Sequence, residues 1–279
     1  MRKLKIDPVN YILAFLQAIF LTISVSVFLV YFGFLSQNAI QRSLMQSDYY
    51  NYLKIDIITR IEDLLIPTGI SSTILEGIFE VAVVEEHTNL HIQNAFSQQS
   101  NALDTLELEA MLTDNIEVFL ENEGVILPEE EVNDLVHLLM QQYESETRFP
   151  FISQLARIGN LYRMLMVILI IGSAICFIVA DLVLHLRTDQ KYQRLRLQSY
   201  ALGGSGLMLL IFPIVVYLSQ FYVRLQIAPL RMHQFFVVHI EQILQLFIIS
   251  GVLVLLLAIV FALPSERQQA KLLLEVGED

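Results

Sequence analysis

YILAFLQAIFLTISVSVFLVYFGFL, Tyr11 to Leu35, carries no charged side chain over 25 residues. As an α-helix rising about 1.5 Å per residue it reaches about 37 Å, more than the ~30 Å of hydrocarbon in a bilayer. Three further stretches of this kind follow after a gap of 125 residues (36–160): Met164 to Ala180, uncharged for 17 and extended past Asp181 by Leu182, Val183 and Leu184; Leu197 to Val223, uncharged for 27; and Gln242 to Ser265, for 24. One span, a long insert, then three spans predicts an all-α, polytopic membrane protein with four transmembrane helices and an all-helical extracytoplasmic domain between helices 1 and 2.

Arg2, Lys3 and Lys5 give the first stretch a basic start, as in a signal peptide. A cleavable apolar region is about 7–15 residues long and ends in a small-x-small site. Here the run passes through Phe32, Gly33, Phe34 and Leu35 into Ser36-Gln37-Asn38, so the helix is expected to stay as an anchor. Arg187, Lys191, Arg194 and Arg196 crowd the link between spans two and three, and Arg267 and Lys271 follow span four. The positive-inside rule places these segments in the cytoplasm. The reading divides the chain into a cytoplasmic start (1–10), span one (11–35), an acidic helical extracytoplasmic domain (36–160), span two (161–186), a basic cytoplasmic loop (187–198), span three (199–223), a short outer amphipathic loop (224–241), span four (242–264) and a cytoplasmic tail (265–279).

Charge is distributed unevenly. The insert holds 21 Asp and Glu against five basic residues (Arg42, Lys54, Arg60, Arg148, Arg157), a net of −16 that leaves +4 for the rest of a chain whose total is −12. Such a surface attracts cations or cationic peptides and is repelled by anionic lipid; a solvated helical face with no partner would look the same. The lone cysteine, Cys176, falls inside span two, so the insert has no disulfide and must hold together by its own core. A domain of that kind fits a bacterial plasma membrane.

Within the insert, Asp48 is placed to cap a helix running to Ile66, with Tyr52, Ile55, Ile58 or Thr59, Ile61 and Leu65 on its inner face and Pro67-Thr68-Gly69 ending it. Thr73-x-x-Glu76 has capping-box spacing and predicts a second helix presenting Ile74, Ile78, Phe79, Ala82 and Val83. A short segment surrounds Ile92, Ala95 and Phe96. Asp104-x-x-Glu107 opens another helix, facing inward through Leu108, Met111, Leu112, Ile116, Phe119 and Leu120, with Gly124 as its left-handed terminus. Pro128 stands as a first helical residue before Glu129, Glu130 and Glu131, then Val132, Leu135, Val136, Leu139 and Tyr143.

Chemistry-bearing residues are few. His87 and His91 are one helical turn apart beside Glu85 and Glu86, so they are the candidate metal ligands; the zincin pattern would need Glu where Thr88 stands. As exposed polar residues instead, their joint replacement by Ala would cost within about 0.5 kcal/mol. Asp181 and His185 are likewise one turn apart at the end of span two, where an ionisable group marks either a transport function or an ion pair with the basic link, with Arg187 in reach. Ala201, Gly203, Gly204, Ser205 and Gly206 permit close helix approach in span three, and Pro213 predicts a bend, as hinge or as static notch. The outer link, rich in Phe235, Phe236, Val237 and Val238 between Arg224, Arg231, His233, His239 and Glu241, is expected to lie at the membrane interface or to lengthen the neighbouring spans. No phosphate loop, nucleophile elbow or basic aromatic patch occurs, so no catalytic residue, cofactor or nucleic acid is assigned.

Two resemblances follow. The order of one span, large outer loop and three spans, with Arg194-Leu195-Arg196 through Leu202-Gly203-Gly204-Ser205 before span three, resembles the FtsX-like permeases of cell-division ABC systems, and implies a permease or mechanotransmission subunit working with an ATPase. Asp48-Tyr49-Tyr50, Ile61-Glu62-Asp63-Leu64, Pro67-Thr68-Gly69-Ile70, Ile74-Leu75-Glu76-Gly77-Ile78-Phe79 and Leu112-Thr113-Asp114-Asn115-Ile116 resemble phrases of uncharacterised four-span membrane proteins of Gram-positive bacteria with a helical outer domain. That second likeness covers most of the chain and implies fold and location, with no activity. The expected function is that of a non-enzymatic plasma-membrane protein. Its acidic domain contacts an envelope or membrane protein, or a second copy of the chain. The FtsX-like subunit is the alternative and a membrane metalloenzyme a second alternative.

Overall fold

The structure, a computed structural model, describes residues 8–99, 103–188 and 190–276, the last ten as backbone. Arg2, Lys3, Lys5 and the side chains of Arg267 and Lys271 lie outside the described residues. Regular structure among the described residues is helical throughout: α1 (Pro8–Val30), running into a π-turn (Tyr31–Leu35), α2 (Gln37–Gln46), α3 (Tyr49–Leu65), α4 (Val81–Ser97), α5 (Leu106–Glu123), α6 (Glu129–Thr147), α7 (Ile152–Arg187), α8 (Lys191–Ser219) and α9 (Leu230–Val276). Four helical stretches are long and apolar enough to cross a membrane, with mean hydropathies of 2.4, 2.8, 2.1 and 3.2; they lie in Pro8–Leu35, Glu129–Arg187, Lys191–Arg224 and Leu230–Glu266. The chain divides into two compact units: a spanning unit from Met1–Ser36, Gly159–Leu225 and His239–Asp279, and an inserted domain from Gln37–Ile158 and Gln226–Val238.

In the spanning unit small and hydroxylated side chains set the helix contacts. Apolar side chains gain little by leaving lipid for one another, so close backbone approach and hydrogen bonds decide the packing. A Cβ added to Gly206 would come 3.1 Å from the carbonyl oxygen of Gly251, and one on Gly251 would come 3.1 Å from that of Gly206, so α8 and α9 touch backbone to backbone there. Antiparallel to one another, they are tied again where Ser199 Oγ donates to the Ala258 carbonyl (2.9 Å) and Ser265 Oγ to that of Tyr192 (2.9 Å). Parallel α1 and α8 meet at Ala18 and Gly204, where an added Cβ would stand 3.3 Å from Ala18, and where Thr22 Oγ1 donates to Ser205 Oγ (3.1 Å). Ser24 of α1 pairs with Ser173 of α7 at 2.6 Å. α8 continues through the buried Pro213, and its glycines serve as packing notches.

The inserted domain has its own core, and several expectations change there. Helix α3 turns inward Tyr49, Tyr50, Leu53, Ile57, Ile61 and Leu65, whereas Ile55 is exposed. Of the expected stripe, Ile61 and Leu65 are buried and Tyr52 and Ile58 half-buried, so the departure is confined to Ile55 and to the buried Tyr49, Tyr50, Leu53 and Ile57. Asp48 does not cap the backbone: it is left-handed (φ 57°) and its carboxylate accepts from the Asn51 side chain. The Thr73-x-x-Glu76 box is not built either. Ser71 caps a single 3₁₀ turn (Ser72–Leu75), Glu76 is extended, and Gly77 at φ 77° reverses the chain before α4 begins at Val81. Val84, His87, Thr88 and Ile92 are buried, Val83 packs against the core as expected, and Ala82 is exposed. Helices α5 and α6 form where expected, with Gly124 left-handed (φ 68°) and Glu129, Glu130 and Glu131 in the first turn of α6; but Met111, expected inward, is exposed, Thr105 in place of Asp104 stands before the first turn of α5, and Pro128 is the residue before the first turn of α6.

Residues 226–238 are expected at the membrane interface or as extensions of the neighbouring spans; the second holds from Leu230, where α9 begins and runs on into the fourth apolar stretch, but this segment also belongs to the inserted domain. Met232 and Phe235 are core residues of the inserted domain, with Phe235 packed edge-on against Phe149 (centroids 5.1 Å apart). Between them and α3 lies Arg231, its side chain only 8% exposed, donating to Asp56 (2.7 Å) and to Glu146 (2.9 Å). Glu146 also takes Arg60 Nε at 3.0 Å. Two cations and two carboxylates thus neutralise one another, beside a Tyr49 phenol that burial pushes up to about 12. The apolar residues of the link compete successfully for a protein core because Arg231 finds partners there.

Removing one member of a buried ion pair leaves a charge stranded. Arg231→Ala in the full chain is expected to destabilise the inserted domain by about 3–5 kcal/mol. Arg231→Met combined with Asp56→Asn and Glu146→Gln should recover most of that. Denaturant unfolding in detergent checks both; an Arg231→Ala midpoint equal to the parent's would contradict the assignment.

Candidate functional site

Residues far apart in sequence line a groove of about 990 Å³ in the inserted domain. Its walls are α2 at Gln41, the turn from Gly77 to Glu80, α4 from Ala82 to Gln93 and the start of α5. Five carboxylates border it, Glu80, Glu85, Glu86, Asp104 and Glu107, and no Lys or Arg is among its lining residues. The arrangement has a local cause. Glu80 occupies the position before the first turn of α4, Glu107 the first turn of α5, and the Asp104 carboxylate accepts from the Leu106 amide (3.4 Å). Positive helix ends favour acids at these places, and two such ends are brought to one groove. Ile78, Leu108 and Met111 supply apolar surface, the first two buried and Met111 exposed.

His87 also lines the groove, but it is not the exposed residue expected. It is 8% exposed, and its Nδ1 lies 2.8 Å from the Tyr143 hydroxyl on α6. His91, one turn on, is half-buried with Nε2 unpaired. The delayed start of α4 places both on its inner face, with Thr88. Burial holds both imidazoles below their ordinary range; the carboxylates of Glu86, Asp104 and Glu144 only partly offset this at His87, and Arg148 adds to it at His91. Among the described residues no three His, Cys, Asp or Glu side chains come together as a metal would require.

Asp181 does pair with the basic link, through Arg194 at 3.1 Å in place of Arg187, and accepts from Gln198 Nε2 (2.9 Å). The Arg194 guanidinium also donates to His185 Nδ1 at 2.6 Å. Arg194 and Gln198 are one turn apart on α8, which aims both at the end of α7. Pro213 lies along α8 away from these groups. Sequence reasoning left aside Asp56, Glu146 and Gln17, the last buried and unpaired within α1. Gln17 had a signal: Asn10, Gln17 and Ser24 recur every seventh residue of an apolar span. No family model, curated protein or solved structure matches the chain.

Two predictions follow from the histidines. Because the folded pKa values lie below the unfolded one, the unfolded chain binds more protons as pH falls, so stability contributed by neutral His87 and His91 is complete above about 6.5 and declines below it. Thermal unfolding of the inserted domain should therefore weaken between pH 7 and 5.5, and His87→Gln with His91→Gln should flatten that slope. His87→Ala alone is expected to cost about 1–3 kcal/mol, since it strands the Tyr143 hydroxyl. A loss under 0.5 kcal/mol in denaturant titration would return His87 to the surface.

Proposed function

We propose that this chain is a non-enzymatic plasma-membrane protein whose inserted domain, outside the cytoplasm, recognises a cationic segment of another envelope or membrane protein. The groove carries the reading: uncompensated carboxylates around an apolar floor match a partner that offers Lys or Arg beside aliphatic side chains. The basic residues at 187, 191, 194 and 196 support the orientation, with both termini inside.

A photo-crosslinking residue at Met111 of the full chain, in native membranes, should trap a discrete protein. Replacing Glu85, Glu86 and Glu107 together by Gln should reduce that product about tenfold, equivalent to ~1.4 kcal/mol. Salt near 0.5 M should do likewise by screening. A product insensitive to both would refute charge recognition. For orientation, in a Cys176→Ala background, a cysteine at Glu130 should react with an impermeant thiol reagent on intact cells and one at Gln190 should not. The FtsX-like alternative draws on the order of one span, an inserted domain and three spans, and it predicts stoichiometric co-purification of an ATPase.

A further inference from the structure

We propose that Arg196, set beside the stacked rings of Tyr200 and Tyr11, holds the phosphate of a membrane phospholipid at the end of the spanning helices that carries the basic link. The link does not offer its cations alike. Arg194 is committed to Asp181 and His185. The Arg196 side chain gives its Nε–H to the Tyr200 hydroxyl, one turn along α8, at 2.6 Å, and its guanidinium carbon lies 5.6 Å from the centre of the same ring. A guanidinium is a rigid, planar fork of N–H donors. With Nε engaged and the ring beside it, the fork is held in place, while Nη1 and Nη2 have no acceptor among the described residues. Glu266 of α9 attracts the charge but makes no ion pair with it.

The occupant follows from depth and from the rings. Arg196 is the last charged residue before the uncharged run from Leu197 to Val223, and Tyr11 opens the run from Tyr11 to Leu35. Parallel α1 and α8 bring their tyrosines together with ring centres 6.1 Å apart and planes 23° from parallel, and each residue is 44% exposed. Hydrocarbon ends at this level, so a cationic fork and a pair of amphipathic rings stand where lipid headgroups begin. The non-bridging oxygens of a phosphodiester match Nη1 and Nη2 in a bidentate pair. Glycerol and the first acyl carbons then cover the exposed ring surface, which a soluble phosphate, having no apolar part, would leave in water.

The test titrates the purified full chain in detergent with phosphatidylglycerol and follows bound lipid by native mass spectrometry. Arg196→Gln should weaken the tightest-held lipid about tenfold. Arg196→Lys keeps the charge and loses the fork, so it should weaken binding by more than about threefold, whereas Lys191→Gln, which removes a charge from the same link, should change it by less than about twofold. Inorganic phosphate in millimolar excess should leave the lipid bound. Equal losses in Arg196→Gln and Lys191→Gln would mean diffuse attraction to the link and overturn the site. Parent affinity in Arg196→Lys would overturn the fork, and displacement by inorganic phosphate would overturn the lipid as its occupant.

Discussion

The guanidinium of Arg231, buried against Asp56 and Glu146, is the contact on which the inserted domain's composition depends. It draws residues from a link between two spans into a core otherwise made from the insert between the first two. An arginine could not enter that core alone, since its desolvation would exceed anything Met232 and Phe235 gain. With two carboxylates in place, and Arg60 balancing the second charge of Glu146, the cluster is neutral and the apolar neighbours bury freely.

The spanning unit meets the opposite problem. Its exterior is apolar over whole helices, so hydrophobicity does not choose which faces meet. Glycine at Gly206 and Gly251 lets two backbones touch, and hydroxyls at Thr22, Ser24, Ser199 and Ser265 find partners on neighbouring helices. Each contact specifies register more than it adds stability, because the same groups would seek other partners if the helices shifted. Gln17 and Asn10 are among the places where this matching fails among protein atoms.

Charge in the inserted domain is sorted by depth. Acids that meet a cation are drawn inward, as Glu146 is, while those of the groove stay at helix starts where the backbone dipole tolerates them. His87 and His91 sit below this rim as neutral groups, held so by burial. The groove thus has a negative border without Lys or Arg beside the apolar Ile78, Leu108 and Met111, a pairing that the net charge of the domain alone would not reveal.

Four long apolar runs, the gap after the first and the helical spacing of the insert were legible in the sequence because bilayer thickness and the 3.6-residue turn act on contiguous residues. Gly124 and the glutamates at the start of α6 were legible for the same reason. The first half of the stripe buried by α3, the start of α4 and the inward turn of His87 were not, because local spacing permits two registers and only the facing helices choose between them. Nor could spacing find Arg231: its partners lie 175 and 85 residues away, and a charge can be buried only where tertiary structure gathers its counter-charges. Sequence by itself determined which segments are apolar enough to cross a membrane. Tertiary structure decided which polar side chains would be paired, gathered into a groove or left alone in the interior, because the cost of burying each depends on what stands opposite it.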